Sequence, residues 1–351
     1  MAVALVCPDK FRGTLTAAGA AEALARGLEA AEVGRRRFDE VRRLPLADGG
    51  EGTLDALLAS QGGSRRRATV TGPLGDPVEA EWAVLPDRTA VVESARASGL
   101  ALVNGANDPL AATSRGTGEL IQAAVRGGAR RIVVAVGGSA MTDGGLGAVD
   151  ALGWSLKGLD VTVACDVTTP FLDAARRFGP QKGATTAQVA LLGRRLERLA
   201  EVYRQRTGRD VTGLAHAGAA GGLAGGLAAL GARLEPGFEV VARAAGFEAA
   251  LDGVDVVVTG EGRFDRSSLE GKVTGEVLAW AVSEGVAHRA VVAGQVADEI
   301  KEAEDEPVLD GVLALGLVDR VWQAGEAWAR AGLLAEEAAV EVGRWALERL
   351  A

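Results

Sequence analysis

The chain has 351 residues, 48% of them hydrophobic, with a mean hydropathy of +0.14 and a formal net charge of −9 at pH 7. This length exceeds what one core usually serves and predicts two domains; the acidic balance excludes nonspecific nucleic-acid binding, which needs Lys and Arg to neutralise phosphates. No apolar run approaches the ~18 residues that span a bilayer, and no basic leader precedes the first apolar run, so the expected location is cytoplasmic, with no membrane partner.

The apolar run at 2–7 predicts a strand, and the alanines and leucines of 16–31 recur at helical spacing, with Thr14 or Thr16 as a cap. A second strand is expected at 41–46 and a helix over 52–60. Residues 69–95 have a different texture. Strand-like segments at 69–71, 78–85 and 89–93 are joined by turns too short for parallel crossovers, which predicts antiparallel pairing. A helix over 116–126 leads to a strand at 131–136, followed by a strand at 161–165 and a helix over 186–207. The small residues of 215–230 suit close helix packing or a backbone-lined ligand loop. Strands at 254–259, 290–293 and 312–315 are each followed by helical sequence, and a helix over 325–350 closes the chain.

Strand and helix thus alternate, which predicts an α/β fold with a doubly wound parallel sheet. The antiparallel segment predicts a smaller α+β domain inserted into it. The expected division is 1–68, 108–157 and 236–351 for the first domain, and 69–107 and 158–235 for the second. Cys7 and Cys165 follow apolar runs and read as buried structural thiols, since neither has a partner at metal-ligand spacing. His288 reads as solvated surface; His216 reads as structural, with a ligand contact as the alternative.

Three predicted strand ends carry glycines together with carboxylates. They are Gly137-Gly138-Ser139 with Asp143-Gly144-Gly145, Gly260-Glu261-Gly262, and Asp48-Gly49-Gly50-Glu51-Gly52. Ligands of parallel sheets bind beyond the carboxyl ends of strands, where glycine lets backbone N–H groups come close to a charged group. The pattern predicts a phosphate-and-metal site assembled from loops. Each loop also has a plainer reading, as a tight turn or as a helix cap. Lys10 and Arg12 could clamp an oxyanion or form surface ion pairs; Asp166, alone at a strand end, suits Mg²⁺ or a base; Lys182 suits a polyphosphate oxygen or solvent. Gly271-Lys272 is not a Walker loop, because Val273 follows the lysine, and no G-x-G-x-x-G run occurs.

Several motifs, in collinear order over nearly the whole chain, carry a family resemblance. They include Pro8-Asp-Lys-Phe-Arg-Gly-Thr-Leu, Ala47-Asp-Gly-Gly-Glu-Gly-Thr, Thr71-Gly-Pro-Leu-Gly-Asp-Pro-Val and Gly116-Thr-Gly-Glu-Leu-Ile. Ala97-Ser-Gly-Leu, Val136-Gly-Gly-Ser-Ala-Met-Thr-Asp-Gly-Gly, Ala164-Cys-Asp-Val, Phe178-Gly-Pro-Gln-Lys-Gly-Ala, Gly218-Ala-Ala-Gly-Gly-Leu and Thr259-Gly-Glu-Gly-Arg complete the set. In these the chain resembles the type-1 glycerate kinases of bacteria. The resemblance implies an ATP- and Mg²⁺-dependent kinase of D-glycerate, giving 2-phosphoglycerate more often than 3-phosphoglycerate. It implies a Rossmann-like domain interrupted by a smaller mixed one, with the site in the cleft between them.

On that reading Gly137, Gly138, Ser139, Gly144, Gly145 and Lys182 hold the nucleotide, and Asp166 and Glu261 hold the metal. Asp9, Arg12, Gly49, Gly50 and Glu51 bind the acceptor, while Asp48, Asp143 and Lys10 are the catalytic candidates, with Asp48 first as base. Lys10 stands where the family usually has serine, and Arg12 where it has lysine. Two alternatives follow: a kinase for another small hydroxy acid, or a catalytically silent nucleotide-binding regulator. A homo-oligomer is compatible with either.

Overall fold

The structure, a computed structural model, describes residues 1–303 and 306–350. Its strands are β1 (Val3–Val6), β2 (Glu40–Arg43), β3 (Ser64–Thr71), β4 (Pro77–Val84), β5 (Ala90–Glu93) and β6 (Arg131–Ala135). They continue with β7 (Asp160–Cys165), β8 (Arg233–Pro236), β9 (Val256–Phe264), β10 (His288–Val296) and β11 (Val312–Gly316). The chain divides into two compact units. The first comprises Met1–Asp48, Asp55–Ser60 and Val241–Ala351; the second comprises Gly49–Leu54 and Gln61–Val240.

The first unit contains a five-stranded sheet in the order β11-β10-β9-β1-β2, with every pairing parallel. The three central strands, β1, β9 and β10, are apolar and buried at their centres, as the continuous apolar runs of β1 and β9 predict. The strand order reverses between β1 and β9, and a doubly wound sheet opens its ligand crevice at such a reversal. Thr16 caps the helix Ala17–Ala30 by accepting from Gly19 N at 3.0 Å. The helix Ala331–Arg349 lies against it so closely that a Cβ on Gly27 would come within 2.2 Å of Glu336 O. Leu24, Leu28, Leu334 and Val342 fill this contact. The helix expected over 325–350 is broken at Arg330, whose φ of −115° and ψ of 16° separate Ala324–Ala329 from Ala331–Arg349.

The second unit holds a six-stranded sheet, β3 to β8 in sequence order. Its first three strands pair antiparallel, as the short turns predict, and β5 to β8 pair parallel. The observed division therefore differs from the expected boundaries. Strand β6 and the helix Arg115–Arg126 lie in the second unit, because β5 is buried along its whole length and accepts β6 on its free side. Strand β8 has no counterpart in the sequence reading: four residues, two of them charged and one proline, give no alternation to detect. The helix Thr186–Thr207 matches its expected bounds, with a capping box between Thr185 and Gln188 and left-handed Gly208 after it. No helix among the described residues is long and apolar enough to cross a membrane.

Candidate functional site

In the first unit the chemistry gathers at the switch point, beyond the ends of β1 and β9. Asp9 N donates to Gly260 O at 2.9 Å and Thr259 Oγ1 to Cys7 O at 2.9 Å, which joins the two strand ends. A Cβ on Gly260 would lie 2.0 Å from Val292 O, so glycine is required there for the strands to close. Buried Phe11 anchors the loop that follows, with Phe11 N donating to Leu15 O and Thr14 Oγ1 to Phe11 O.

This packing crowds carboxylates. The Asp9 carboxyl is pushed up to about 7, first by burial and then by the Asp48 carboxylate, with Glu261 adding a smaller push. Lys10 opposes the shift through its charge and through its backbone N–H, which donates to Asp9 Oδ1 at 2.7 Å. Glu261 is buried and its pKa is raised by that burial, against the pull of Thr274, Ser268 and Lys272. Glu261 Oε1 is enclosed with no hydrogen bond of ordinary geometry. Arg12 is exposed and forms no ion pair among the described residues. Downstream, Arg263 is bound to Asp265 and Gln295, and Lys272 to Ser267.

In the second unit the loop after β6 is packed against the residues that follow Asp48. A Cβ on Gly137 would stand 2.8 Å from Gly50 Cα, and one on Gly49 would stand 2.6 Å from Gly237 Cα. Gly138 has φ +63°, and Glu51 Oε2 lies 3.7 Å from where its Cβ would be. The backbone N–H groups of Gly137, Gly138 and Ser139 donate to nothing among the described residues. Three consecutive donors without a partner among the described residues stand at the carboxyl end of a parallel strand, where backbone N–H groups can receive an anion.

The other half of that loop is bonded internally. Gly144 N donates to Gly221 O at 3.0 Å and Gly145 N to Asp143 Oδ1 at 3.0 Å, so neither amide is open to a phosphate. Asp143 accepts further from Ser114 N, Ser114 Oγ and Gly147 N at 2.8, 2.8 and 3.2 Å. A carboxylate so occupied organises the turn. Lys182 is also inward: its Nζ donates to Ser139 Oγ at 2.9 Å and to Met141 O at 2.6 Å. Burial pushes its pKa down to about 7, against the attraction of Asp143.

Asp166 is exposed at the end of β7, in the second unit, whereas Glu261, its expected partner at a metal, belongs to the first. Among the described residues no three acidic, His or Cys side chains converge as a metal site. His216 sits in left-handed backbone at φ +69°, and its Nδ1 meets Val167 O at 2.8 Å, a contact that requires the proton on Nδ1. His288, expected at the solvated surface, is half-buried at the start of β10 against the Trp345 ring. Cys7 and Cys165 are buried thiols, both pushed up by burial.

The sequence reading missed Glu93. It is 1% exposed and accepts from Gly52 N at 2.9 Å, Leu54 N at 2.7 Å and Arg96 Nε at 2.7 Å. It thereby caps the helix Thr53–Gln61 and fixes the Gly49–Gly52 turn. An acid ending a fully apolar strand was the available signal.

The glycerate kinase family model matches residues 4–161 and 154–347. The chain is 41% identical over 307 residues to glycerate 2-kinase of Escherichia coli K12, covering 77% of this chain and 79% of that protein. It is 40% identical over 304 residues to glycerate kinase of Bacillus subtilis 168, covering 76% and 78%. A crystal structure assigned to glycerate kinase 2 of Salmonella typhimurium LT2 superposes with a TM-score of 0.81 at 33% identity, over 97% of each chain.

Proposed function

The chain belongs to the glycerate kinase family and is a kinase, and from that premise we propose that it moves the γ-phosphoryl group of ATP onto the 2-hydroxyl of D-glycerate. The products are ADP and 2-phosphoglycerate. The observation that carries this reading is the cradle of unpartnered N–H groups at Gly137, Gly138 and Ser139, which suits the phosphates of the donor. The name of the Escherichia coli relative supports the 2-position.

Phosphoryl transfer is mostly positioning and charge neutralisation. Arg12, exposed and without an ion pair, holds the glycerate carboxylate together with Lys10. As the 2-hydroxyl oxygen bonds to the γ-phosphorus and the bond to the β,γ-bridging oxygen breaks, the hydroxyl proton passes to the Asp9–Asp48 pair. A carboxyl lifted to about 7 suits that exchange at neutral pH. The Asp48 carboxylate raises Asp9 and orients the hydroxyl.

Mg²⁺ suits a buried carboxylate such as Glu261. It favours oxygen ligands and takes one or two protein carboxylates, with phosphates and water completing its shell. Glu261, whose Oε1 is enclosed without a hydrogen bond of ordinary geometry among the described residues, is the residue that would hold it. When bound, the ion supplies neutralisation of the phosphate charge.

The test is ADP release by the purified protein with ATP and Mg²⁺ and a panel of small hydroxy acids. D-Glycerate should give the highest kcat/KM. Release that is independent of any acceptor, or faster with another hydroxy acid, contradicts the reading.

A further inference from the structure

The second unit contains a cavity of about 430 Å³ between the helix Thr186–Thr207 and the loops at 109–112 and 142–146. Leu110, Leu146, Leu192, Leu196, Leu199 and Val202 make it mainly apolar, and its volume lies in the range of small-molecule sites.

Two features show that this space is built. Two of its walls are tied together: Arg195 Nη1 donates to Leu110 O at 3.0 Å. The cavity also carries an unused polar group. Thr142 lines it and is 2% exposed, yet its Oγ1 has no hydrogen-bond partner among the described residues. A buried hydroxyl in that state calls for a ligand atom. Arg198, also in the lining, forms no ion pair or hydrogen bond among the described residues.

The cavity and the anion cradle share one loop. Ser139, the last of the three unpartnered donors, precedes Thr142 by three residues, a separation of at most about 11 Å. A nucleoside triphosphate covers such a span, with a planar apolar base at one end and oxyanions at the other. We infer that this cavity receives the purine ring of the nucleotide co-substrate, with the Thr142 hydroxyl as its polar contact and Arg198 at its edge. The inference rests on the phosphate role proposed above for Gly137–Ser139.

Leu146 is 37% exposed and opens the short helix Leu146–Ala151, so Leu146→Trp narrows the cavity without disturbing a closed core. Val202→Trp does the same from the opposite wall. The experiment measures KM for ATP and for D-glycerate in wild type and both variants, and binding of ATP and of adenosine by calorimetry. Both variants should raise KM for ATP about tenfold or more while KM for D-glycerate stays within about twofold, and adenosine binding should be lost. Should a tryptophan variant fail to fold by circular dichroism, Arg198→Ala, at an exposed position, is expected to weaken ATP about three- to tenfold.

Folded cavity variants with wild-type KM and adenosine affinity would overturn the assignment and leave the kinase reading intact. A wild-type protein that binds ATP and adenosine through this cavity yet transfers nothing to D-glycerate would do the reverse. An apolar metabolite that fills the cavity without competing with ATP would also overturn it.

Discussion

Lys182 Nζ donates to the Ser139 hydroxyl across 2.9 Å while lying almost wholly inside the second unit. One ammonium, bonded also to Met141 O, thereby ties the anion cradle to the turn that follows it. Buried lysines of this kind carry a pH signature. The pKa near 7 in the folded protein lies below the unfolded lysine value, so the unfolded chain holds the proton over a range where the folded one has released it. Stability from this group therefore rises with pH from about 7 toward the ordinary lysine value near 10.5. In Lys182→Met that contribution disappears, and KM for ATP rises about fivefold or more because the cradle loses its tie. The difference in melting temperature between wild type and variant, followed from pH 6 to 9, reads the first effect; a difference that does not change with pH contradicts it.

Asp9 carries the opposite sign. Its folded pKa of about 7 is above the ordinary carboxyl value, so its contribution is fully present below pH 4 and is lost as pH rises through 7. Without divalent cation, wild type should lose stability relative to Asp9→Asn between pH 4 and 8. Equal melting temperatures across that range would show that Asp9 is not crowded.

Asp48→Asn removes the charge that helps hold Asp9 up. The acid limb of kcat/KM should move to lower pH, and kcat should fall about 10²- to 10⁴-fold with KM for glycerate little changed. Normal kcat in the folded variant would leave Asp48 as an element of the turn.

Asp143→Asn should act on stability. Its carboxylate accepts from two amides of the Gly145–Gly147 turn and twice from Ser114, and an amide replaces one of its two acceptor oxygens with a donor. A loss of about 2–4 kcal/mol is expected, with kcat per folded molecule within about fivefold of wild type. A large fall in kcat at unchanged stability would restore the catalytic reading.

Much of this was legible in the residues. The apolar β-branched runs placed β1, β6 and β9, and the glycines beyond them marked loops whose packing does require glycine: a Cβ at Gly260 or Gly137 would strike backbone. What escaped depended on partners distant in sequence. Nothing near Asp143 predicts that Ser114 will bond to it, and the acid that ends the apolar run at Glu93 does not by itself say that it caps Gly52 and Leu54. Likewise the alternation of strand and helix could not say which sheet β6 would join, because pairing with β5 is decided by burial of both faces. Lys182 reads in the sequence as a turn cation for a polyphosphate oxygen or for solvent, and the fold encloses it.

The central claim is transfer of the γ-phosphoryl group of ATP to the 2-hydroxyl of D-glycerate. Phosphorus NMR of a reaction containing the protein, ATP, Mg²⁺ and D-glycerate tests it most directly. A 2-phosphoglycerate resonance growing in step with ADP is the predicted result; a 3-phosphoglycerate resonance, or ADP with no phosphoglycerate, would contradict it.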